Sequence, residues 1–145
     1  MCKIIPIACD HAGFELKEFM KQQLTKRGFE IKDMGTYSAE SVDYPDMIHP
    51  LAKAVDNGEF EFGIIMCGAA TWVSTFANTY HKVRRALCWS EETAKLATQH
   101  NNANIIALPA RFVSPQEALN IFDAYYNAEF EGGRHQRRIE KIPVK

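Results

Sequence analysis

The stretch "FGIIMCGAATWVSTFAN", residues 62–78, indicates the fold of this chain. It opens with an apolar run that predicts a buried strand ending at Met66, continues into a turn at Cys67 and Gly68, and favours a helix from Ser74 onward. In sheet proteins such a turn presents backbone N–H groups to an anion. Because the turn holds a single glycine, we ask whether Cys67 has the loop that chemistry at its thiol requires.

Strands and helices alternate on both sides of this stretch. Strands are predicted at Ile4–Ala8, Phe29–Met34, Phe62–Met66, Arg84–Trp89 and Asn104–Leu108. Helices are predicted at Phe14–Arg27, Met47–Val55, from Ser74 onward, Glu91–Gln99 and Pro115–Asn127, the last with Ser114 and Glu117 as a capping box. Strands separated by helices form a parallel sheet that is covered on both faces. We therefore predict an α/β fold over residues 1–145: a single-domain three-layer α/β/α sandwich around a mainly parallel, five-stranded, doubly wound (Rossmann-like) sheet.

Composition excludes several classes of function. The 145 residues carry 17 basic and 18 acidic side chains, so no overall charge attracts the chain to nucleic acid or to an anionic membrane. No apolar run approaches the ~18 residues that a membrane span requires, and the start of the chain lacks the pattern of a signal peptide. The four cysteines show no CxxC pairing, which favours reduced thiols and a cytoplasmic location.

Reactive residue types follow the predicted strands. In a parallel sheet, ligands bind beyond the carboxyl ends of the strands. The residues at those ends, or in the connections that follow, are Cys9, Asp10, His11, Tyr44, Cys67, Gly68, Ala110 and Arg111. Each also has a structural reading, since a cysteine is often a small core residue and an aspartate before a helix is often its cap. Their coincidence at one edge favours a functional site.

Two further segments carry polar clusters. In "QHNNAN", residues 99–104, His100 and Asn101 stand in an amide-rich turn that suits sugar hydroxyls or, equally, the capping of a helix. In "EFEGGRHQRRIEKIPVK", residues 129–145, a helix after the two glycines would place Arg134 and Arg138 one turn apart, as a phosphate monoester requires. The alternative is a solvated basic tail. Nucleic-acid binding is a weaker alternative, because the cluster is short and has no aromatic platform.

Several blocks of the sequence resemble a known family. The blocks are "CDHAGFELKEFMKQQLTKRGFEIKDMGTYSAESVDYPD", "ALCW", "QHNNANIIALPARF" and "FEGGRHQRRIEKI". They are similar to the ribose-5-phosphate isomerase B family, which also includes galactose-6-phosphate and allose-6-phosphate isomerases. The resemblance covers nearly the whole chain. It implies an aldose–ketose isomerase that interconverts ribose 5-phosphate and ribulose 5-phosphate through a cis-enediolate, without metal or organic cofactor.

The resemblance also implies roles for individual residues. Cys67 corresponds to the general base, and Asp10 and His100 correspond to groups for substrate binding and ring opening. The residues that correspond to ligands of the phosphate or the sugar are His11, Tyr44, Gly68, Asn101, Arg111, Arg134 and Arg138. The family also implies a homodimer or tetramer with shared active sites, in which a C-terminal arm, about residues 128–145, reaches a partner subunit.

The opening stretch departs from the family pattern. Ala69, Ala70 and Trp72 stand where family members have a hydroxyl residue and two glycines, and Arg85 is an additional arginine after Lys82. In the family, this loop donates N–H groups to the enediolate, and the hydroxyl at position 69 assists the proton transfer. We expect the loop to lose backbone conformations with positive φ and to close an early helical turn, so that activity is low.

Three hypotheses follow from these observations. The first is an isomerase of a pentose phosphate, or of allose or galactose 6-phosphate, with a modified loop. The second is a catalytically weak protein that still binds sugar phosphates. The third is an interaction protein with a basic tail. Turnover and binding of ribose 5-phosphate distinguish the three.

Overall fold

The computed structural model describes residues 3–70 and 79–143 and contains one parallel sheet of five strands. The strands are β1 (Ile4–Cys9), β2 (Glu30–Asp33), β3 (Gly63–Cys67), β4 (Arg85–Leu87) and β5 (Ile105–Pro109), in the order β2-β1-β3-β5-β4. Every pair of neighbouring strands is parallel. The predicted fold class is confirmed.

Helices follow the strands as predicted. The described α-helices are α1 (Phe14–Lys26), α2 (Tyr44–Asp56), α3 (Glu91–Asn101), α4 (Pro115–Asn127) and α5 (Arg134–Ile139), and a short 3-10 helix, His11–Gly13, precedes α1. Helix α2 begins three residues before the predicted start, because Pro45 occupies its first turn, where a missing N–H group costs nothing. Ser114 and Glu117 form the predicted capping box at the start of α4. The helix predicted from Ser74 lies outside the described residues.

Two hydrophobic clusters, one on each face of the sheet, form the core. Alternate strand residues such as Ile7 and Met66 pack with α1 and α4, while their neighbours Ile65 and Cys67 pack with α2. Successive side chains of a strand point to opposite faces, so this division produces the three layers. Cys67 therefore lies on the α2 face, at the end of β3.

A buried ion pair attaches α1 to the sheet. The ammonium group of Lys17 is completely buried and donates to both carboxylate oxygens of Asp33 at 2.7 Å. Burial disfavours the carboxylate, but Lys17, Lys21 and the Gly35 N–H hold the pKa of Asp33 below its ordinary value. In the part of the chain that is described, no helix has the length and apolar character needed to cross a membrane.

Candidate active site

Cys67 is held by backbone hydrogen bonds that continue past the end of the sheet. The carbonyl oxygen of Cys67 accepts from Ala110 N–H at 2.8 Å, and that of Gly68 accepts from Arg111 N–H at 3.0 Å. These bonds set the Arg111 side chain against Gly68, where an added Cβ would lie 3.2 Å from the guanidinium Nε. The missing side chain at Gly68 allows this close approach of a cation to the thiol-bearing turn, and an added Cβ would displace the guanidinium by a few tenths of an ångström.

The first turn after β1 is pressed against the end of β3. Asp10 N–H donates to the Met66 carbonyl, and a Cβ on Gly13 would lie only 2.5 Å from that same oxygen. One carboxylate oxygen of Asp10 accepts from Gly13 N–H at 3.0 Å. Asp10 is thus the N-cap of the short 3-10 helix His11–Gly13, which confirms its structural reading. The Nδ1 atom of His11 is buried and has no hydrogen-bond partner among the described residues. Such an atom is available to a ligand.

Tyr44 completes this side of the site. It is the first residue of α2 and packs, partly buried, against the hydrophobic cluster that contains Cys67 and Ala70. The structure thus brings six of the predicted residues to the carboxyl edge of the sheet. We call Asp10, His11, Tyr44, Cys67, Gly68 and Arg111 the carboxyl-edge group.

Arg85, which the sequence shows as an additional arginine, brings a positive charge to the face of the sheet that carries Cys67. Its register partner on β5 is Ile105, which belongs to the same cluster as Cys67, so Arg85 faces the Cys67 side of the sheet. Burial lowers the pKa of Arg85 to about 10, and the thiols of Cys88 and Cys67 oppose that shift. A cation within electrostatic reach of a thiol favours its thiolate form.

The other two described cysteines differ from Cys67. Burial raises the pKa of Cys9 and of Cys88 to about 12. Both thiols stay protonated near neutral pH, and both are part of the core on the opposite face of the sheet. They are structural residues, as expected for small buried side chains.

The loop after Cys67 corrects one prediction. Ala70 is fully buried and has a φ of 62°, so the expectation that the loop loses positive φ is wrong at this residue. A left-handed alanine costs roughly 1–2 kcal/mol, which burial in the surrounding cluster offsets. The expected helical turn at Thr71 and Trp72 lies outside the described residues. Ala69 is exposed and carries no hydroxyl.

His100 and Asn101 lie at the opposite edge of the sheet. They end α3, and the side chain of Arg84, the residue before β4, donates from Nε to the Asn101 carbonyl at 3.1 Å. Gly63 N–H, at the start of β3, donates to the Asn104 carbonyl. The five residues of β3 separate this edge from Cys67 by roughly 13 Å.

The amide-rich turn is largely structural. Asn102 caps α3 in a left-handed conformation, and the Asn104 side chain accepts from Arg84 N–H at 2.8 Å and donates to the Lys82 carbonyl. The capping alternative is thus confirmed for Asn102. Asn101 is exposed, and the side chain of His100 lies against the C-terminal arm.

The C-terminal arm folds against the end of α3. Glu131 N–H donates to the Gln99 carbonyl at 3.0 Å, and the ring of His135 stacks on that of His100 with 4.3 Å between centroids. The segment after Gly133 is helical, as expected, and places Arg134 and Arg138 one turn apart with exposed side chains. We call His100, Asn101, Arg134 and Arg138 the amino-edge group.

His135 and Glu131 were not predicted as site residues. His135 is buried under His100, and burial, then the charges of Arg134 and His100, lower its pKa. The only sequence signal was the i, i+4 spacing of Glu131 and His135, which becomes informative once the segment is known to fold back on α3.

A cavity of about 620 Å³ also lies at the amino edge, next to this group. Its walls include Lys3, Phe62, Arg84 and Tyr125. Burial raises the pKa of Tyr125 to a value far above neutrality, and its hydroxyl donates to the Ala103 carbonyl. The cavity contains none of the carboxyl-edge group, so we do not assign the chemistry to it.

Comparison with known proteins identifies the family of this chain. Residues 5–142 match the family model described as Ribose/Galactose Isomerase. The chain is 41% identical over 140 residues to ribose-5-phosphate isomerase B of Escherichia coli K12, covering 97% of this chain and 94% of that protein. The chain belongs to the ribose/galactose isomerase family.

Solved structures of this family have the same fold. The crystal structure of a ribose 5-phosphate isomerase from Thermotoga maritima is similar with a TM-score of 0.95 and 47% identity, covering 97% of each chain. Ribose-5-phosphate isomerase B from Mycoplasma genitalium, solved with bound ribulose-5-phosphate, gives a TM-score of 0.92 and 43% identity, over 98% of this chain and 95% of that one. The predicted family and sheet architecture are confirmed.

Proposed function

We propose that this protein is an aldose–ketose isomerase that interconverts ribose 5-phosphate and ribulose 5-phosphate. The observation that carries the proposal is the carboxyl-edge group: the buried Cys67 ends a central strand, next to a turn that carries Arg111 and near a His11 whose Nδ1 has no hydrogen-bond partner in the described part of the chain. A base flanked by groups that suit a phosphate is what the reaction requires. Membership of the ribose/galactose isomerase family supports the same conclusion.

The proposed chemistry moves one proton between two carbon atoms. The Cys67 thiolate removes the proton from C2 of the open-chain aldose, which gives an enediolate, and returns it to C1. A proton moves between the two oxygens at the same time, so the C1 aldehyde becomes a hydroxyl and C2 becomes a ketone. His100 opens the sugar ring beforehand, and Asp10 binds the substrate through the carboxylate oxygen that does not cap Gly13.

The proposed site is shared between two chains. The carboxyl-edge and amino-edge groups lie at opposite ends of the strands, and β3 between them is roughly 13 Å long, which favours a site in which one chain does not apply both groups to one substrate. A second copy supplies its amino-edge group, including the arm at about residues 128–145, to the first copy's Cys67. A two-fold dimer makes two such sites, and a tetramer of two dimers makes four.

We further propose that activity is reduced by the missing hydroxyl at Ala69. The positive φ of Ala70 supports a loop that retains part of its turn, so the loss lies in the side chain at position 69. Replacing Ala69→Thr should raise kcat, by up to about 100-fold if the hydroxyl acts as one oxyanion donor. An unchanged kcat would show that the chain stabilises the enediolate in another way.

The proposed location is the cytoplasm. Cys9, Cys67 and Cys88, the described cysteines, are not in disulfides, which suits a reducing compartment.

A coupled assay tests the function. Ribose 5-phosphate, allose 6-phosphate and galactose 6-phosphate are offered separately, and binding of each is followed by thermal shift. Turnover of ribose 5-phosphate supports the proposal, and preferential turnover of a hexose phosphate replaces the substrate but keeps the reaction. Binding without turnover indicates a catalytically weak sugar-phosphate-binding protein. If the sugar phosphates are neither bound nor turned over, the hypothesis of an interaction protein remains.

A further inference from the structure

We propose that His100, Glu131 and His135 form a site for a divalent transition-metal ion such as Zn²⁺, and that the ion and the sugar phosphate exclude one another. The second half rests on the proposed function, because it uses His100 as a substrate-binding group. The site would be regulatory or inhibitory, and the isomerase chemistry does not require it.

The three side chains already lie close together. Oε1 of Glu131 is 3.5 Å from Nε2 of His135 and 3.9 Å from Nε2 of His100. Each residue offers one ligand atom, and the three atoms all lie within 4.8 Å of one another. Tetrahedral zinc with bonds of 2.0–2.2 Å keeps its ligand atoms roughly 3.4 Å apart. The Glu131 and His135 pair already matches that spacing, and His100 has to turn out of its ring stack so that its lone pair points to the same position.

His135 provides an independent sign of a ligand. Its side chain is 7% exposed, and its buried Nε2 atom has no partner at normal hydrogen-bond distance among residues 3–70 and 79–143, since Oε1 of Glu131 is 3.5 Å away. Leaving a buried polar nitrogen unsatisfied is unfavourable. That nitrogen points to the carboxylate of Glu131, so a cation between the two would satisfy both.

The backbone holds the cluster, while solvent can reach it. Glu131 N–H is bonded to the Gln99 carbonyl, and His135 N–H is bonded to the Gly132 carbonyl. The side chains of His100 and Glu131 remain 39% and 45% exposed. An ion can therefore enter from solvent, and His100 is the less buried of the two stacked rings.

The ligand set selects the class of ion. Two imidazoles and one carboxylate suit zinc, nickel or copper, whereas magnesium and calcium prefer oxygen ligands. Binding would withdraw the His100 nitrogen from the sugar and place a positive charge beside Arg134.

Calorimetry with zinc chloride, in a buffer that does not chelate, tests the site directly. The measurement uses the full chain with Cys67→Ala, so that this thiol cannot bind the ion. We expect one zinc per chain, at least tenfold weaker binding after Glu131→Gln or His135→Gln, and no response to magnesium. Glu140→Gln, on the same arm, is the matched control and should bind zinc as before. Unchanged zinc affinity in both ligand variants would overturn the site.

A second titration tests exclusion separately from activity. Ribose 5-phosphate is titrated into the same Cys67→Ala protein with and without saturating zinc, and into Glu131→Gln in that background. We expect zinc to weaken sugar-phosphate binding at least tenfold in the first protein and not in the second. Equal affinity with and without zinc would overturn the exclusion, and a protein that binds zinc but never ribose 5-phosphate would instead contradict the proposed function.

Discussion

The two edges of the sheet hold their functional residues in different ways. At the carboxyl edge, backbone hydrogen bonds between β3 and β5 continue into the turns, and close contacts at Gly13 and Gly68 fix the loops. At the amino edge, exposed arginines stand on a short arm that is attached by one ring stack and a few hydrogen bonds. The rigid edge suits proton transfer, which needs fixed geometry, and the arm suits delivery of phosphate-binding groups to a second chain.

The largest expected effect is at the rigid edge. Cys67→Ala removes the general base, so kcat should fall about 10²–10⁴-fold while sugar-phosphate binding persists. The coupled assay measures the first quantity and calorimetry the second. Cys88→Ala is the control, since its thiol stays protonated at neutral pH. A normal kcat of the Cys67→Ala protein would show that the general base is not at the end of β3.

The second largest expected effect is on stability, at the buried ion pair that attaches α1 to the sheet. Asp33→Asn leaves the buried Lys17 ammonium with only the Glu18 carboxylate, 3.5 Å away, as a counter-charge, and the free energy of unfolding should fall by up to about 3–5 kcal/mol. Adding Lys17→Met should recover part of that loss. Denaturant unfolding measures both.

The same pair predicts how stability depends on pH. The pKa of Asp33 is lower in the folded protein than its ordinary value of 3.8. Its contribution is therefore present above pH 3.8 and is lost as the pH falls through the folded pKa. The Asp33→Asn variant should not show this loss of stability at acid pH. If the free energy of unfolding depends on pH in the same way in the variant and the wild type, the lowered pKa of Asp33 is contradicted.

The arm should respond differently from the sheet. Arg134→Ala or Arg138→Ala removes a charge-assisted phosphate bond and should weaken sugar-phosphate binding by about 1.5–3 kcal/mol, with little change in stability because both side chains are exposed. Arg137→Ala is the matched control on the same helix. Equal losses in all three variants would indicate general attraction by a basic tail.

The smallest effect concerns the loop. Ala70→Gly removes the strain of a left-handed alanine but adds the chain entropy of glycine, so the free energy of unfolding should rise by less than about 1 kcal/mol. Thermal unfolding measures the change. A clear destabilisation would show that the Ala70 methyl group packs more favourably than its backbone strain costs.

The sequence predicted most of the fold and about half of the geometry of the site. Apolar runs such as Phe62–Met66 predict buried strands directly, and Ser114 with Glu117 marks a helix start by local chemistry. Which edge His100 occupies depends on the direction of α3, and its stacking on His135 depends on an arm that folds back from a distance. The left-handed conformation of Ala70 is imposed by the surrounding core against the preference of the residue, so no local pattern predicts it.

The shared site is tested most directly by mixing two variants that are each impaired in a different part of the site. The Cys67→Ala variant lacks the base but has an intact arm. The double variant Arg134→Ala, Arg138→Ala has the base but lacks the two phosphate-binding arginines. Co-expressed in equal amounts, the two chains form heterodimers in which one of the two sites is complete. We predict recovery of about a quarter of the wild-type activity, as random pairing requires. Activity no higher than the sum of the two separate variants would contradict a site built from the two edges of different chains.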